Sequence, residues 1–268
     1  MAGVKHSLNI TEPSDASTVM PMTSESPFLS LFEGFRGELD EHHDRRERVV
    51  KASRDITALS KKIVTTLAAP IALSIEKAIT PHRDQISALF TAVAPDLTGP
   101  NAWRYHHQIT GGIQEYIEAT AFYHYLSTQT LLSFSSAQDL IPAGVLLTED
   151  DYLLGLFDMV GEIMRFAITT MATSGALPAG EGVGRDVVGD LRGLRAAFET
   201  FVLDPKSGKG KMDVMRTCVQ KVEQAMYGMI IRGRERPKGW VPELEGEGGG
   251  KKSRATRKMK DVMCKMRR

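Results

Sequence analysis

Four carboxylates stand at helical spacing inside two of the most apolar stretches of the chain: Glu115 and Glu118 in GIQEYIEATAF, and Asp158 and Glu162 in DYLLGLFDMVGEIMRF. A helix as apolar as Leu153 to Phe166 has no solvated face for its two acids, and carboxylates at i and i+4 repel each other, so the fold must supply compensation. On a helix each pair projects from one face, and two such helices side by side would bring all four to one cavity. Hard oxygen ligands with no cysteine nearby suit Mg²⁺ or Mn²⁺. Such an ion polarises a phosphoryl oxygen and acidifies a bound water, which makes phosphodiester hydrolysis the natural reaction class. The competing explanation is structural ion pairing: Arg165 is three residues past Glu162, and Arg104 and His107 lie upstream of Glu115. A di-iron carboxylate bundle requires Glu-x-x-His, which the chain lacks. All-α nucleoside triphosphate pyrophosphatases share only the sparse pattern of a Glu-x-x-Glu followed by a second acidic pair.

Periodicity puts both pairs on helices of an all-α, antiparallel bundle of about six to seven helices. From Pro27 to about Ala68, Phe35, Leu39, Val49, Ile56, Ile63 and Leu67 recur at three and four spacing, the mark of one long helix. Thr80-Pro81 reads as an N-cap and first helical position for a short helix carrying Ile86, Leu89, Phe90 and Val93. After the candidate N-cap Asn101, a pattern through Trp103, Ile109, Ile113, Tyr116, Ile117, Phe122 and Leu126 runs to about Phe134. Its Gly111 and Gly112 suit close helix packing. Thr148-Glu149-Asp150-Asp151 resembles a capping box with acids on the helix dipole, opening a helix that runs to about Ser174. Two further amphipathic helices carry Val187, Leu191, Leu194, Phe198 and Phe201, then Met215, Val219, Val222, Met226 and Met229. The prolines fall between these segments, and no stretch alternates with period two.

With 268 residues, 42% hydrophobic and 25% charged, the chain has material for one sizeable core. Residues 1–27 are rich in Ser, Thr and Pro and read as a disordered arm; 28–244 form the helical domain; 245–268 are a Gly-rich linker and basic tail. Cys218 and Cys264 stand far apart without a pairing pattern, so the expectation is a reduced, intracellular protein with no disulfide framework. No apolar run reaches the ~18 residues of a membrane span, and the amino terminus has no apolar leader core. The formal charge of +1 hides an asymmetry: 13 of the 34 basic and 5 of the 33 acidic residues lie from Arg232 onward. The rest is net acidic. Nucleic-acid phosphates would therefore need local basic stripes, the tail or a second subunit.

Four blocks in order, Phe35–Lys62 (FRGELDEHHDRRERVVKASRDITALSKK), Gly111–Ala119 (GGIQEYIEA), Asp151–Arg165 (DYLLGLFDMVGEIMR) and Lys221–Lys238 (KVEQAMYGMIIRGRERPK), resemble the translin family, and within it the translin-associated factor X members. The likeness covers roughly Phe32 to Pro242. It implies an all-helical bundle that assembles with translin into a hollow hetero-octameric barrel and supplies a Mg²⁺-dependent endoribonuclease activity. Matched by position, it assigns Glu115, Glu118, Asp158 and Glu162 as both catalytic residues and metal ligands. It further implies small or single-stranded RNA as substrate, possible binding of single-stranded DNA, and a cytoplasmic and nuclear location. The rival within the same family is a non-catalytic, translin-like nucleic-acid scaffold. Two features depart from the animal pattern: a short Ser135–Leu147 loop and the Lys/Arg-rich end after Gly250.

Other charged residues rank below the acids. Arg45, Arg46, Arg48, Lys51, Arg54, Lys61 and Lys62 interleave with seven acids on the first helix, a pattern that fits a solvated salt-bridged face better than an RNA stripe. His106 and His107 suit structural roles. The tail, with nine basic residues from Lys251 to Arg268, fits a nuclear import signal or an electrostatic arm.

Overall fold

A computed structural model describes residues 28–68, 75–176, 186–201 and 208–235. The amino-terminal arm and the linker and tail expected from composition lie outside the described residues. Among the described residues the regular structure is helical: α1 (Leu29–Leu67), α2 (Ile75–Val93), a 3-10 turn (Ala94–Leu97), α3 (Pro100–Arg104), α4 (His106–Thr128), α5 (Phe134–Asp139), α6 (Glu149–Ser174), α7 (Val187–Phe198) and α8 (Gly208–Glu235). The all-α expectation holds. The helix count exceeds the expected six to seven because two short helices, α3 and α5, interrupt segments read as one helix and as a loop.

Direction matters more than number for the site. The neighbours α1/α2, α6/α7 and α7/α8 run antiparallel: Arg48 pairs with Asp96 just past α2 while Leu59 and Lys62, farther along α1, lie beside Gln85 and Leu89, Phe157 near the start of α6 meets Phe198 at the end of α7, and Arg192 and Glu199 pair with Glu223 and Arg216 of α8. Between α4 and α6, however, residues 129–148 carry the chain back along the length of α4, so that Asp151 stands beside His106 and Thr110. The two helices therefore lie alongside in the same direction: Gln114 reaches Asp151, and further on Phe122 meets Phe166 edge to face. This register puts the Glu115/Glu118 turns level with the Asp158/Glu162 turns. Two glycines permit the close approach. A Cβ on Gly112 would stand 3.0 Å from the carbonyl oxygen of Ser53 on α1, and one on Gly155 would stand 2.8 Å from Ile117 Cβ on α4. Of the glycines expected to serve packing, Gly112 does so and Gly111 faces open space.

The core is continuous through all the long helices. Val49, Ile56 and Ile63 of α1, Ile79, Ile86 and Phe90 of α2, Ile113, Ile117 and Phe122 of α4, Met159 and Ile163 of α6, Leu191 of α7 and Val219 and Val222 of α8 are at most 2% exposed. Burying side chains of this size is the main stabilising contribution, at ~1.5–3 kcal/mol each before entropic costs. Met215 belongs to this core, and Met226 and Met229 pack at its margin.

Several local expectations are corrected. Pro81 lies inside α2, which is already helical at Ile75, so Thr80-Pro81 is not its start. The carbonyl of Lys77, which loses a bond to that proline, sits on an exposed turn where water can satisfy it. Asn101 is not an N-cap: Gly99 caps α3 at φ 58°, with Pro100 in the first turn. The helix expected to reach Phe134 breaks at Tyr105 and ends at Thr128, where Gln129 takes a left-handed conformation. Phe35 and Leu39 are 50% and 68% exposed rather than core, because the tertiary contacts of α1 begin near His42, which hydrogen-bonds Tyr105 at 2.6 Å. Trp103 and Phe201 are exposed as well. Thr148 behaves as expected, its hydroxyl accepting a bond from the Asp151 amide at 3.1 Å to cap α6.

Candidate functional site

Glu115, Glu118, Asp158 and Glu162 line one cleft of ≈ 490 Å³, together with Lys61, Val64 and Thr65 of α1 and Arg165 of α6. All four residues singled out from spacing are thus brought together. The parallel register of α4 and α6 does this, and α1 closes one side.

Basic side chains hold three of the four acids. Lys61 Nζ lies 3.1 Å from Glu115 Oε1, and Arg165 Nη1 lies 3.2 Å from Glu162 Oε2. Lys211, in the first turn of α8, places its ammonium 2.5 Å from both oxygens of Asp158. Glu162 is 7% exposed, and its Oε2, although close to Arg165, accepts no hydrogen bond. Among the described residues Glu118 has no hydrogen-bond or ion-pair partner.

The electrostatic consequence falls on Glu118. Burial, with repulsion from Glu115, Asp158 and Glu162 added to it, pushes its carboxyl from the ordinary 4.5 up to about 8, against a smaller opposing pull from Lys211. Glu162 is also raised, mainly by burial, with Arg165 opposing. A half-buried carboxyl that is reluctant to ionise, among three others, is what an additional cation would relieve.

The donor set fits Mg²⁺ or Mn²⁺ in kind: carboxylate oxygens, no thiol, and a buried oxygen without a hydrogen bond. It is not preassembled, since among the described residues no group of three or more acids, histidines or cysteines already stands at metal-holding distances. Side-chain rotation and release of the basic partners would be needed.

Sequence reasoning missed Lys211. Its only signal was the basic GKGK run opening α8, which by itself points to no target 53 positions away. His106 has a structural role: its Nε2 donates to Asp151 at 2.8 Å, and His107 is exposed. Of the basic residues of α1, Arg45, Arg46 and Arg48 are salt-bridged as expected, whereas Lys61 faces the cleft. Arg48 forms a two-pronged pair with Asp96 at 2.7 and 2.8 Å, Arg45 pairs with Glu41 and Asp96, and Arg46 pairs with Glu47.

Comparison with known proteins bears on this arrangement. The Translin family model matches residues 44–233, which span α1 through α8 and include the whole cleft. The chain belongs to the translin family. Within it, the chain is 30% identical over 257 residues to translin-associated protein X of Rattus norvegicus, covering 83% of this chain and 85% of the relative. It is 31% identical over 219 residues to the Schizosaccharomyces pombe homolog of that protein, covering 78% and 89%. Translin of Mus musculus is more distant, 22% identical over 216 residues, covering 76% and 92%. The fold of this chain is similar to that in the crystal structure of apo-NeC3PO, with a TM-score of 0.60 at 18% identity over 74% of this chain and 96% of that one. Among the described residues no helix is long and apolar enough to cross a membrane.

Proposed function

We propose that this chain is the catalytic subunit of a Mg²⁺- or Mn²⁺-dependent endoribonuclease that works in complex with a translin subunit. The observation that carries this reading is the cleft itself: four acids on two parallel helices, with Glu118 left without a partner and pushed up to about 8. Identity to translin-associated protein X supports it further. In this reading Glu115, Glu118, Asp158 and Glu162 are the residues that would hold the ion. When bound, the ion supplies charge neutralisation at the phosphodiester and acidification of a water.

The remaining chemistry belongs to the protein. Glu118, the one cleft acid without a basic partner among the described residues, is the acid best placed to take or return a proton at Oε1 or Oε2. Lys61, Arg165 and Lys211 rim the cleft with the positive charge that an RNA backbone requires and the acidic body lacks. The proposed substrate is small or single-stranded RNA, the proposed assembly a translin hetero-octameric barrel, and the proposed location cytoplasm and nucleus.

One observation favours a second reading. Three acids already have basic partners and among the described residues no metal cage is preassembled, which suits a non-catalytic nucleic-acid-binding scaffold. The test uses the full chain co-purified with translin on end-labelled single-stranded RNA. Catalysis requires cleavage with Mg²⁺ that EDTA abolishes and that Glu118→Ala reduces by at least about 100-fold, with products bearing 5′-phosphate and 3′-hydroxyl ends. Tight RNA binding without cleavage in either metal supports the scaffold, and pyrophosphate release from free nucleoside triphosphates instead of RNA cleavage would return the pyrophosphatase alternative.

A further inference from the structure

Asp158 differs from its neighbours in how it is occupied. The Lys61 and Arg165 pairs each engage a single oxygen of Glu115 and Glu162, and both cations are well exposed, at 64% and 65%. Lys211 instead covers both oxygens of Asp158 at 2.5 Å and is only 31% exposed. One ammonium therefore stands where a divalent ion would have to approach this acid. An ammonium on a four-carbon stem can swing between acceptors without moving the backbone, and phosphate is a natural second acceptor for it.

We propose that Lys211 is a built-in competitor for the divalent cation, holding Asp158 in the resting cleft and passing to a phosphate of the RNA when cation and substrate bind together. The inference rests on the endoribonuclease reading of the cleft and adds an order to it. Without RNA, a cation must displace Lys211 from Asp158 and leave the ammonium without a partner. With RNA, the backbone takes the ammonium and the carboxylate is released. RNA and cation then bind cooperatively, and by linkage each tightens the other by the same factor. Lys211 acts as a positioning residue in this scheme.

The test measures Mn²⁺ affinity by the electron paramagnetic resonance of free Mn²⁺, using the full chain in complex with translin, with and without a short phosphorothioate RNA that resists cleavage. In the unmodified protein the RNA is expected to tighten Mn²⁺ by roughly fivefold or more, the lower range of measured allosteric couplings. Lys211→Met should bind Mn²⁺ about as tightly without RNA as the unmodified protein does with it, and the RNA should then add less than about twofold. Lys211→Arg, which keeps the charge, should keep most of the coupling. Lys62→Met removes an equal charge from an exposed position of α1 next to the cleft but outside its lining, and controls for simple attraction: it should leave the RNA coupling in place. Lys211→Gln, which still offers Asp158 a hydrogen bond, gives the same readout should the Met variant fold poorly. A merely structural Lys211 would shift thermal stability but not the coupling. Unchanged Mn²⁺ affinity or unchanged coupling in the Lys211 variants, with Mn²⁺ binding still dependent on Glu118, overturns this inference and leaves the nuclease reading standing. Absence of Mn²⁺ binding in every form overturns both.

Discussion

Asp151 and Glu118 lie between the same two helices, about two turns apart, and the fold treats them in opposite ways. Asp151 is 2% exposed and accepts four side-chain hydrogen bonds, from His106, Thr110, Gln114 and Thr148. Every lone pair that burial strips of water has a replacement donor, so this acid is stable as it stands. Glu118 is half-buried, has no hydrogen-bond or ion-pair partner among the described residues, and faces three more carboxylates. A buried acid that is fully hydrogen-bonded is part of the framework. On the proposed reading, an acid held beside others without a partner is a cost retained for something that binds. The contrast then separates a structural acid from one kept for function on one helix pair, which composition alone cannot do.

Asp151→Ala should have the largest effect on the fold. It strands donors from α4 and from the α6 cap, and the expected loss is about 3 kcal/mol, read as a lowered urea midpoint at unchanged m-value. A loss below about 1 kcal/mol would mean that the four bonds are dispensable and the contrast is overstated.

Next comes the packing that sets the register. Gly155→Ala puts a methyl 2.8 Å from Ile117 Cβ and 2.9 Å from the Gln114 carbonyl, so α4 and α6 must separate. The expected loss is roughly 1–3 kcal/mol. RNA cleavage should fall as well, because the two acidic pairs move apart. The opposite sign is expected at Gly111, where a Cβ meets nothing within 4 Å. Gly111→Ala should stabilise by ~0.5–1 kcal/mol through helix propensity, with cleavage unaffected.

A separate effect concerns pH. The carboxyl of Glu118 is raised in the folded state from 4.5 to about 8, so between those values the folded chain holds a proton that the unfolded chain has lost. Its stabilising contribution is complete below 4.5 and is lost as pH rises toward 8. Thermal melts of the cation-free protein should therefore decline over that window, and Glu118→Gln should flatten the decline. Saturating Mg²⁺ should oppose it, since the ion favours the ionised form. A decline identical in Glu118→Gln would assign the pH dependence to other groups.

These regions also show what the sequence makes legible. The four cleft acids could be found because apolar neighbours and helical spacing are local signals, and the Thr148 cap and the end of α6 near Ser174 are local as well. Asp151 was legible only as a first-turn acid on the helix dipole. Its burial depends on His106, Thr110 and Gln114, which reach it only because residues 129–148 return the chain before α6 begins. The Lys211–Asp158 pair was hidden for the same reason, being a contact across 53 positions. Phe35 and Leu39 carry a core-like pattern that continues into the buried face of α1, yet no described element covers them, and periodicity does not reveal where neighbours stop. Pro81 misled because its missing hydrogen bond falls on an exposed turn.

The most direct measurement is Mn²⁺ binding at about pH 8 to the full chain complexed with translin, comparing the unmodified protein with Glu118→Gln and Asp151→Asn. The expected result is binding that Glu118→Gln weakens by at least about tenfold while Asp151→Asn, once corrected for the folded fraction, leaves it nearly unchanged. Equal weakening by both variants, or binding indifferent to Glu118, would contradict the claim that the fold keeps these two acids for different purposes.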